Sequence, residues 1–328
     1  MSALIVPAFW AESRVRHRQG TRQITIRRFG WSDTSQAEAQ AMADARAQEA
    51  LQRVVHGERL VRREPKVPYN GAVGVPIREE IVERHGATVI TRNSYGARCL
   101  NTPTVLFVDV DAEPPFPAWL SSSVAVLAMA IGAYTWWVGE SIAVALFVWV
   151  VAFIVLATAV HILSRAVTGG VERRVRAARK RIARFVASHP GWAVRVYRTP
   201  SGLRLMATHQ LFEPNDPAVK AFFDAVGVDP IYRAMCLNQQ CFRARLTPKP
   251  WRIGIAAHMR PRPGVWPVAP ERRATRDRWI AGYEAASRGY AACRFLEAVG
   301  TGAVHIDVET VRRLHDDASK ALQDLPIA

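Results

Sequence analysis

Two aspartates, Asp109 and Asp111, stand at the end of the apolar run Val105 to Val108. Residues two apart on a strand point to the same side, so both carboxylates would face one ligand. Paired carboxylates at a strand end suit a hard cation such as Mg²⁺, with phosphate oxygens completing its coordination. Acidic residues at strand ends are also ordinary turn or solvent positions, and the pair alone leaves both interpretations open.

Three later segments supply groups that the same chemistry needs. Asp229 follows a predicted helix and offers a third carboxylate, so the candidate metal ligands are Asp109, Asp111 and Asp229. A predicted hairpin turn at 199–202 would present backbone donors, and residues 243–254 interleave basic side chains with Trp251. Such interleaving is typical of contacts with phosphates and bases. The candidate phosphate or nucleotide ligands are Ser201, Gly202, Arg204, Arg243, Arg245, Lys249 and Arg252.

This series of motifs resembles the catalytic core of the archaeo-eukaryotic primase superfamily, over about residues 75–255 with the apolar block at 118–163 as an insert. That family carries a strand ending in Asp-x-Asp, a Ser-x-His hairpin and a hydrophobic residue followed by Asp. The resemblance implies that Asp109, Asp111 and Asp229 bind magnesium and that the hairpin binds a nucleotide for nucleotidyl transfer. Arg204 stands where the family has histidine, which puts catalysis in doubt more than phosphate binding.

The block at 118–163 contains two apolar runs, residues 118–138 and 142–163, and its one formal charge is Glu140 in the turn between them. Each run has about the length that an α-helix needs to cross a bilayer. Neither shows the polar stripe of a core helix in a soluble protein. The sequence therefore predicts a transmembrane helical hairpin rather than two buried helices.

Basic residues predict the orientation of this hairpin. The turn at 139–141 carries no Lys or Arg, whereas a basic helix that includes Arg173 to Arg184 follows the second run. By the positive-inside rule both termini face the cytoplasm, and the protein is a two-span protein of the inner membrane. The net charge of +16 has two interpretations, attraction of Arg173–Arg184 to anionic lipid headgroups and contact with nucleic acid or a nucleotide. A solvated basic surface is the plainer alternative.

The remaining pattern predicts an α+β fold: a mixed sheet with covering helices, lying in the cytoplasm and interrupted by the hairpin. Predicted strands include residues 20–31 and the run from Val105, whose apolar character fits burial on both faces. Predicted helices include one after a capping box at Ser35 and two more at 270–298 and 308–323. The expected boundaries are 1–117 and 164–269 as two parts of one cytoplasmic domain, 118–138 and 142–163 as the spans, and 270–328 as a C-terminal helical segment.

Four cysteines, Cys99, Cys236, Cys241 and Cys293, lack a second pair at metal spacing, which favours ordinary buried thiols over a zinc site. The chain also lacks the phosphate-loop, nucleophile-elbow and H-E-x-x-H motifs. We expect a membrane-anchored domain with a binding or scaffold role, for a phosphorylated ligand or nucleic acid. A magnesium-dependent enzyme of nucleotidyl transfer is the alternative.

Overall fold

The α+β class is confirmed by a computed structural model, which describes residues 5–19, 22–64, 74–112, 118–167, 170–262 and 266–328. Its helices are α1 Gln36–Val55, α2 Ala118–Trp137, α3 Ile142–Val167, α4 Gly170–Ser188, α5 Pro217–Val226, α6 Pro230–Gln239, α7 Pro270–Ser287 and α8 Ile306–Ser319. Its strands are β1 Phe9–Gln19, β2 Arg22–Ser32, β3 Glu80–His85, β4 Thr88–Arg92, β5 Arg98–Thr102, β6 Phe107–Asp111, β7 Ala193–Thr199, β8 Gly202–Ala207, β9 Phe242–Arg245 and β10 Arg294–Gly300.

Two compact units divide the chain. The first contains Met1–Val110, Ile182–Pro200 and Arg204–Ala328, and so draws on both sides of the apolar block. The second contains Asp111–Arg181 and Ser201–Leu203.

Three small antiparallel sheets replace the single mixed sheet that the sequence predicts. Their strand orders are β1-β2, β10-β7-β8-β6 and β3-β4-β5-β9. The apolar strand β6 therefore ends its sheet instead of lying at the centre. It is still buried, because the start of α6 covers its outer side: the backbone N–H of Asp229 donates to the carbonyl of Asp109 (3.1 Å) and the Tyr232 hydroxyl to that of Phe107 (2.8 Å).

The two-stranded sheet is a ribbon whose one face packs on α1. Its strands pair without interruption from Phe9↔Ser32 to Gln19↔Arg22. Ser35 caps α1, since its side chain accepts from the backbone N–H of Glu38, as the capping box predicts. Gly30 lets ribbon and helix approach closely, because a Cβ there would lie 2.2 Å from the Ala39 carbonyl oxygen. The sequence pattern predicted β2 and α1 but not β1.

In the second unit, α2 and α3 follow one another and pack closely where Gly132 meets Trp149, since a Cβ on Gly132 would lie 2.8 Å from the Trp149 Cβ. Among the described residues, one helical stretch, Ile142–Val160, is long and apolar enough to span a membrane. Its apolar side chains face outward, with Phe147 69% and Val155 59% exposed. The shorter apolar stretch Ser122–Trp137 falls below that length, and the second span stays a prediction.

The predicted helix at 270–298 is wrong in its last part. Helix α7 ends at Ser287, shortly before Gly289, and residues from Arg294 form strand β10 against β7. Tyr290 lies at helical spacing from Trp279 and Tyr283 of α7, which favoured a helix that continued across the break. β10 shows strand alternation of half-buried and exposed residues.

Candidate functional site

The three predicted metal ligands have different environments in the structure. Asp109 accepts from Arg204, with Nε to Oδ1 at 2.9 Å and Nη2 to Oδ2 at 3.3 Å. Asp229 caps α6, its two carboxylate oxygens accepting from the backbone N–H groups of Ile231 and Tyr232. Asp111 is exposed at the end of β6 and belongs to the second unit.

Two of these three carboxylates are already hydrogen-bonded within the fold, so their assignment to a magnesium ion stays a prediction. Both oxygens of Asp109 face a guanidinium and both oxygens of Asp229 accept from backbone amides, whereas Mg²⁺ needs carboxylate oxygens free to approach within about 2.1 Å. Over the described residues, no group of three His, Cys, Asp or Glu side chains comes together in a way that could hold a metal.

Two of the predicted phosphate ligands are enclosed arginines with acidic partners. Arg204 is 2% exposed and also donates to the carbonyl of Arg245 at 2.7 Å. Burial is the largest influence and opposes the charge of Arg204, but the Asp109 carboxylate and other nearby groups together outweigh it and raise the pKa of the guanidinium. Arg243 is 4% exposed and lies 2.6 Å from Glu79. Arg204 therefore links β8 to β6 and β9, and Arg243 links β9 to the residue before β3.

The other predicted phosphate ligands occupy different kinds of position. Ser201 lies in the turn between β7 and β8 and Gly202 begins β8; the Ser201 carbonyl accepts from the backbone N–H of Ala112 at 2.8 Å. Arg245 donates to the carbonyls of Thr247 and Ala328. Lys249 and Arg252 flank Trp251 in a short 3-10 turn, Pro250–Arg252.

A pocket of about 430 Å³ opens beside this 3-10 turn, within the first unit. We name it the aromatic–basic pocket, and five of its lining residues define it: Tyr95, Trp251, His258, Arg262 and Trp279. Its size lies in the range of small-molecule sites. None of its described lining residues carries a carboxylate.

Three aromatic rings give the pocket flat walls. Tyr95 meets Trp251 edge to face at 5.3 Å between ring centroids. Trp279 stacks on Tyr283 at 5.3 Å, and its indole N–H donates to the carbonyl of Ala257 at 3.0 Å. Trp251 is 54% exposed, so much of its ring remains accessible to a ligand.

The β4–β5 hairpin positions Tyr95 and leaves room for Trp279. Asn93 shapes the turn, because its side-chain oxygen accepts from the backbone N–H groups of Tyr95 and Ala97 at 3.2 and 3.0 Å. Gly96 adopts φ +97°, and a Cβ there would lie 2.3 Å from the Trp279 ring. Glycine is therefore required at this position both by backbone conformation and by space.

Helix α7 is fixed against the sheet that carries this hairpin. The Tyr283 hydroxyl donates to the carbonyl of Pro248 and shares a second hydrogen bond with the Thr247 hydroxyl, each at 2.7 Å. Glu284 pairs with Arg92 of β4 at 2.9 Å and with Arg98 of β5 at 2.8 Å. The wall formed by Trp279 is thus anchored to the opposite wall, and the pocket is largely preformed.

The segment that supplies most of the pocket lining, together with the start of α7, is rich in basic residues. Residues 249–278 contain eight basic and two acidic residues: Lys249, Arg252, Arg260, Arg262, Arg272, Arg273, Arg276 and Arg278 against Glu271 and Asp277. The Lys249 ammonium lies 5.5 Å from the centroid of the Trp251 ring, a cation–π distance. Burial raises the pKa of Tyr95 to about 12, which keeps its hydroxyl a neutral hydrogen-bonding group. The pocket can therefore attract an anion and stack a flat ring at the same place.

Comparison with known proteins adds no relative. No protein-family model, no curated protein and no solved structure matches this chain. The resemblance to the primase superfamily therefore stays a prediction.

The sequence pattern identified Trp251, Lys249 and Arg252 but missed Tyr95, Trp279, His258 and Arg262 as parts of one pocket. Tyr95 and Trp279 are separated by more than half of the chain, and nothing in their local pattern indicates that they meet. The turn sequence Asn93-Ser-Tyr-Gly96 is the signal that could have helped, since it places an aromatic residue at the tip of a hairpin.

A second cluster was also missed, in the core of the first unit. His315 hydrogen-bonds Asp316 at 3.0 Å and lies 3.9 Å from the Cys293 sulfur, and Asp316 pairs with Arg195 at 3.0 Å. Burial is the largest influence and opposes thiolate formation, yet His315, Arg204 and Ser319 together lower the pKa of Cys293. Cys293 and His315 have no exposed surface, so the cluster offers no access to a substrate. All four cysteines are buried free thiols, as expected.

Proposed function

We propose that this chain is a membrane-anchored protein whose first unit binds a phosphorylated ligand with a flat ring, of the chemical class of nucleotides. The observation that carries the proposal is the aromatic–basic pocket, in which the exposed ring of Trp251 lies beside Lys249 and the lining residue Arg262. A base stacks on an aromatic side chain whatever its identity. A guanidinium offers a planar set of donors that matches phosphate oxygens.

The anchor in this proposal is the predicted pair of spans, with both termini on the cytoplasmic side of the inner membrane. Its support is the exposed apolar stretch Ile142–Val160 together with the absence of Lys and Arg from the turn at 139–141. A topology reporter fused at Glu140 is expected to read as external, and one fused at either terminus as cytoplasmic. An internal reading at Glu140 would contradict the two-span arrangement.

Helix α4 would hold the protein close to anionic lipid headgroups. Val175, Ala178 and Ile182 form its buried side, while basic residues such as Arg173, Arg176 and Lys180 are exposed. Each Lys or Arg near an anionic surface contributes about 1 kcal/mol. This contact adds to the spans and does not replace them.

Ligand binding is tested by calorimetric titration of the full-length protein in nanodiscs of zwitterionic lipid. The probes are ATP, adenosine and inorganic phosphate. We expect ATP to bind more tightly than either part alone, because the pocket offers both a stacking wall and cations. Equal binding of inorganic phosphate and ATP would show that the rings play no role, and no binding of any probe would overturn the proposal.

A matched pair of variants localises the effect. Arg262→Gln removes one cation of the pocket and is expected to weaken ATP binding roughly tenfold, about the effect of one charge-assisted hydrogen bond. Arg59→Gln removes the same charge from an exposed position outside the pocket and should leave the dissociation constant unchanged. A similar loss in both variants would point to general electrostatics instead of the pocket.

Nucleotidyl transfer stays a prediction. It would require three carboxylates that converge on a metal near the Ser201–Arg204 turn. The proposal of ligand binding does not depend on that arrangement.

A further inference from the structure

We propose that the exposed face of the β1–β2 ribbon is a docking surface for duplex DNA. This surface is separate from the aromatic–basic pocket and goes beyond the proposed function. We name it the ribbon face and define it by Arg14, Arg16, Arg18, Gln23 and Thr25.

Strand alternation separates this face from the one that packs on α1. Ala11, Ser13, Ile24 and Ile26 are buried on the helix side, and residues of the other parity point away from it. On that outer side Arg14, Arg16, Arg18 and Gln23 are exposed, and Thr25 is half-buried. The cross-strand register sets Arg16 opposite Thr25 and Arg18 opposite Gln23.

The charge of the ribbon face is uncompensated along most of its length. Residues 13–32 contain six arginines and no Asp or Glu. Two of the six belong to the fold, since Arg27 donates to the Glu64 carbonyl and Arg28 lies 3.8 Å from the Glu64 carboxylate. Arg14 pairs with Glu12, whereas no ion pair engages Arg16 or Arg18 within the described part of the chain.

The spacing of these arginines fits a linear polyanion better than a small anion. Alternate residues of an antiparallel strand lie about 6.8 Å apart, so Arg14, Arg16 and Arg18 extend over about 14 Å. A mononucleotide could contact one of them, while a run of phosphates could contact all three together. Simultaneous contacts raise affinity beyond that of any single one.

The shape and composition of the ribbon favour duplex DNA over the other polyanions. The major groove of B-form DNA admits a two-stranded ribbon, whereas that of A-form RNA is too narrow and deep. Single strands are held by stacking on aromatic residues. The aromatic residues of the same strand parity, Trp10, Phe29 and Trp31, pack in a cluster with Val75 and are not part of the ribbon face. Binding at a lipid interface combines basic residues with inserted apolar ones, and the ribbon face consists of arginine, glutamine and threonine.

The test uses fluorescence anisotropy of a labelled 20-base-pair DNA duplex with the full-length protein in zwitterionic nanodiscs, over a salt titration. The double variant Arg16→Gln/Arg18→Gln removes two exposed charges and leaves the ribbon pairing intact. Each lost phosphate contact lowers the slope of log affinity against log salt by about 0.9, so the slope should fall by about 1.8. The matched control Arg59→Gln/Arg288→Gln loses two exposed arginines outside the ribbon and should keep the wild-type slope.

Three results would overturn this proposal: no binding of duplex by the wild-type protein, an equal slope for the ribbon variant and the wild type, or binding to anionic vesicles without binding to duplex. The last would assign the ribbon face to lipid. ATP titration of the ribbon variant separates the two proposals, because the aromatic–basic pocket is intact in it and its affinity for ATP should not change.

Discussion

Two arginine-rich regions of the first unit hold their cations in opposite environments. Around Asp109 and Glu79, Arg204 and Arg243 are buried and each guanidinium lies against a carboxylate within 3 Å. In the aromatic–basic pocket, Arg262 and His258 are exposed and the described lining residues include no acid. A buried, paired arginine stabilises a fold, whereas an exposed cation beside an aromatic wall remains available to a ligand. The residue type alone does not distinguish these roles; the presence of a partner does.

The largest expected effect comes from breaking a buried pair. Arg243→Met leaves the Glu79 carboxylate buried without its cation, which costs about 3–5 kcal/mol of folding free energy. The double variant Arg243→Met/Glu79→Leu should recover most of that loss, because neither charge is then buried alone. Urea unfolding in detergent measures both. If Arg243→Met were as stable as the wild type, the buried arginine would not stabilise the fold, and the two regions would not differ in the way described.

A glycine substitution tests whether the pocket depends on close packing. Gly96→Ala introduces a Cβ 2.3 Å from the Trp279 ring at φ +97°, and we expect a loss of about 1–3 kcal/mol together with weaker ATP binding. Gly86→Ala is the matched control, since φ is also positive (+59°) but nothing lies within 4 Å of its Cβ. It should lose some stability and keep ATP affinity. Equal ATP binding by both variants would show that the position of Trp279 is irrelevant to the ligand.

Truncation of the exposed ring should change affinity and spare stability. Trp251→Ala removes a side chain that is 54% exposed, so its unfolding free energy should change little. The loss of stacking is expected to weaken ATP binding by about 5- to 150-fold, the equivalent of about 1–3 kcal/mol. Trp251→Phe keeps an aromatic face and should restore much of the affinity. If Trp251→Ala binds ATP as the wild type does, the ligand does not stack there.

The smallest expected effect is a pH dependence at a surface ion pair. Hydrogen bonds from Arg312 and Arg313 lower the pKa of Glu309 to about 2, from an ordinary value of 4.5. Because the folded-state pKa is the lower one, this contribution to stability is complete above pH 4.5 and is lost as the pH falls towards 2. Glu309→Gln should lack it, with a difference under about 1 kcal/mol at neutral pH. Acid unfolding curves of the two proteins should therefore converge at low pH.

Local pattern predicted the elements whose own residues determine them. The capping box at Ser35, the β7–β8 hairpin and helix α5 with its buried Val219, Phe222 and Phe223 lie where the sequence indicates. Strand β10 was missed because its identity depends on pairing with β7, almost 100 residues away. Sheet partners are chosen by tertiary contacts, which a local period does not contain.

The sequence predicted only the part of the pocket that has a local signal, because tertiary contacts bring the other residues to it. The interleaving of Lys249, Trp251 and Arg252 is a local signal, and it indicated phosphate and base contact. Tyr95 and Trp279 reach the same place only through the hairpin turn and the anchoring of α7 by Glu284. The acid partners of Arg204 and Arg243 are likewise distant in sequence, so their enclosure was not predictable from spacing.

Photolabelling with 8-azido-ATP tests the central claim most directly, because it reports where on the full-length protein the ligand sits. After irradiation in nanodiscs and digestion, mass spectrometry locates the modified peptides. The account predicts labels on the peptides that contain Tyr95, Trp251 to Arg262 or Trp279, and suppression of labelling by excess ATP. Suppressible labels on the peptides that contain Asp109 or Ser201–Arg204, with none at the pocket, would contradict it.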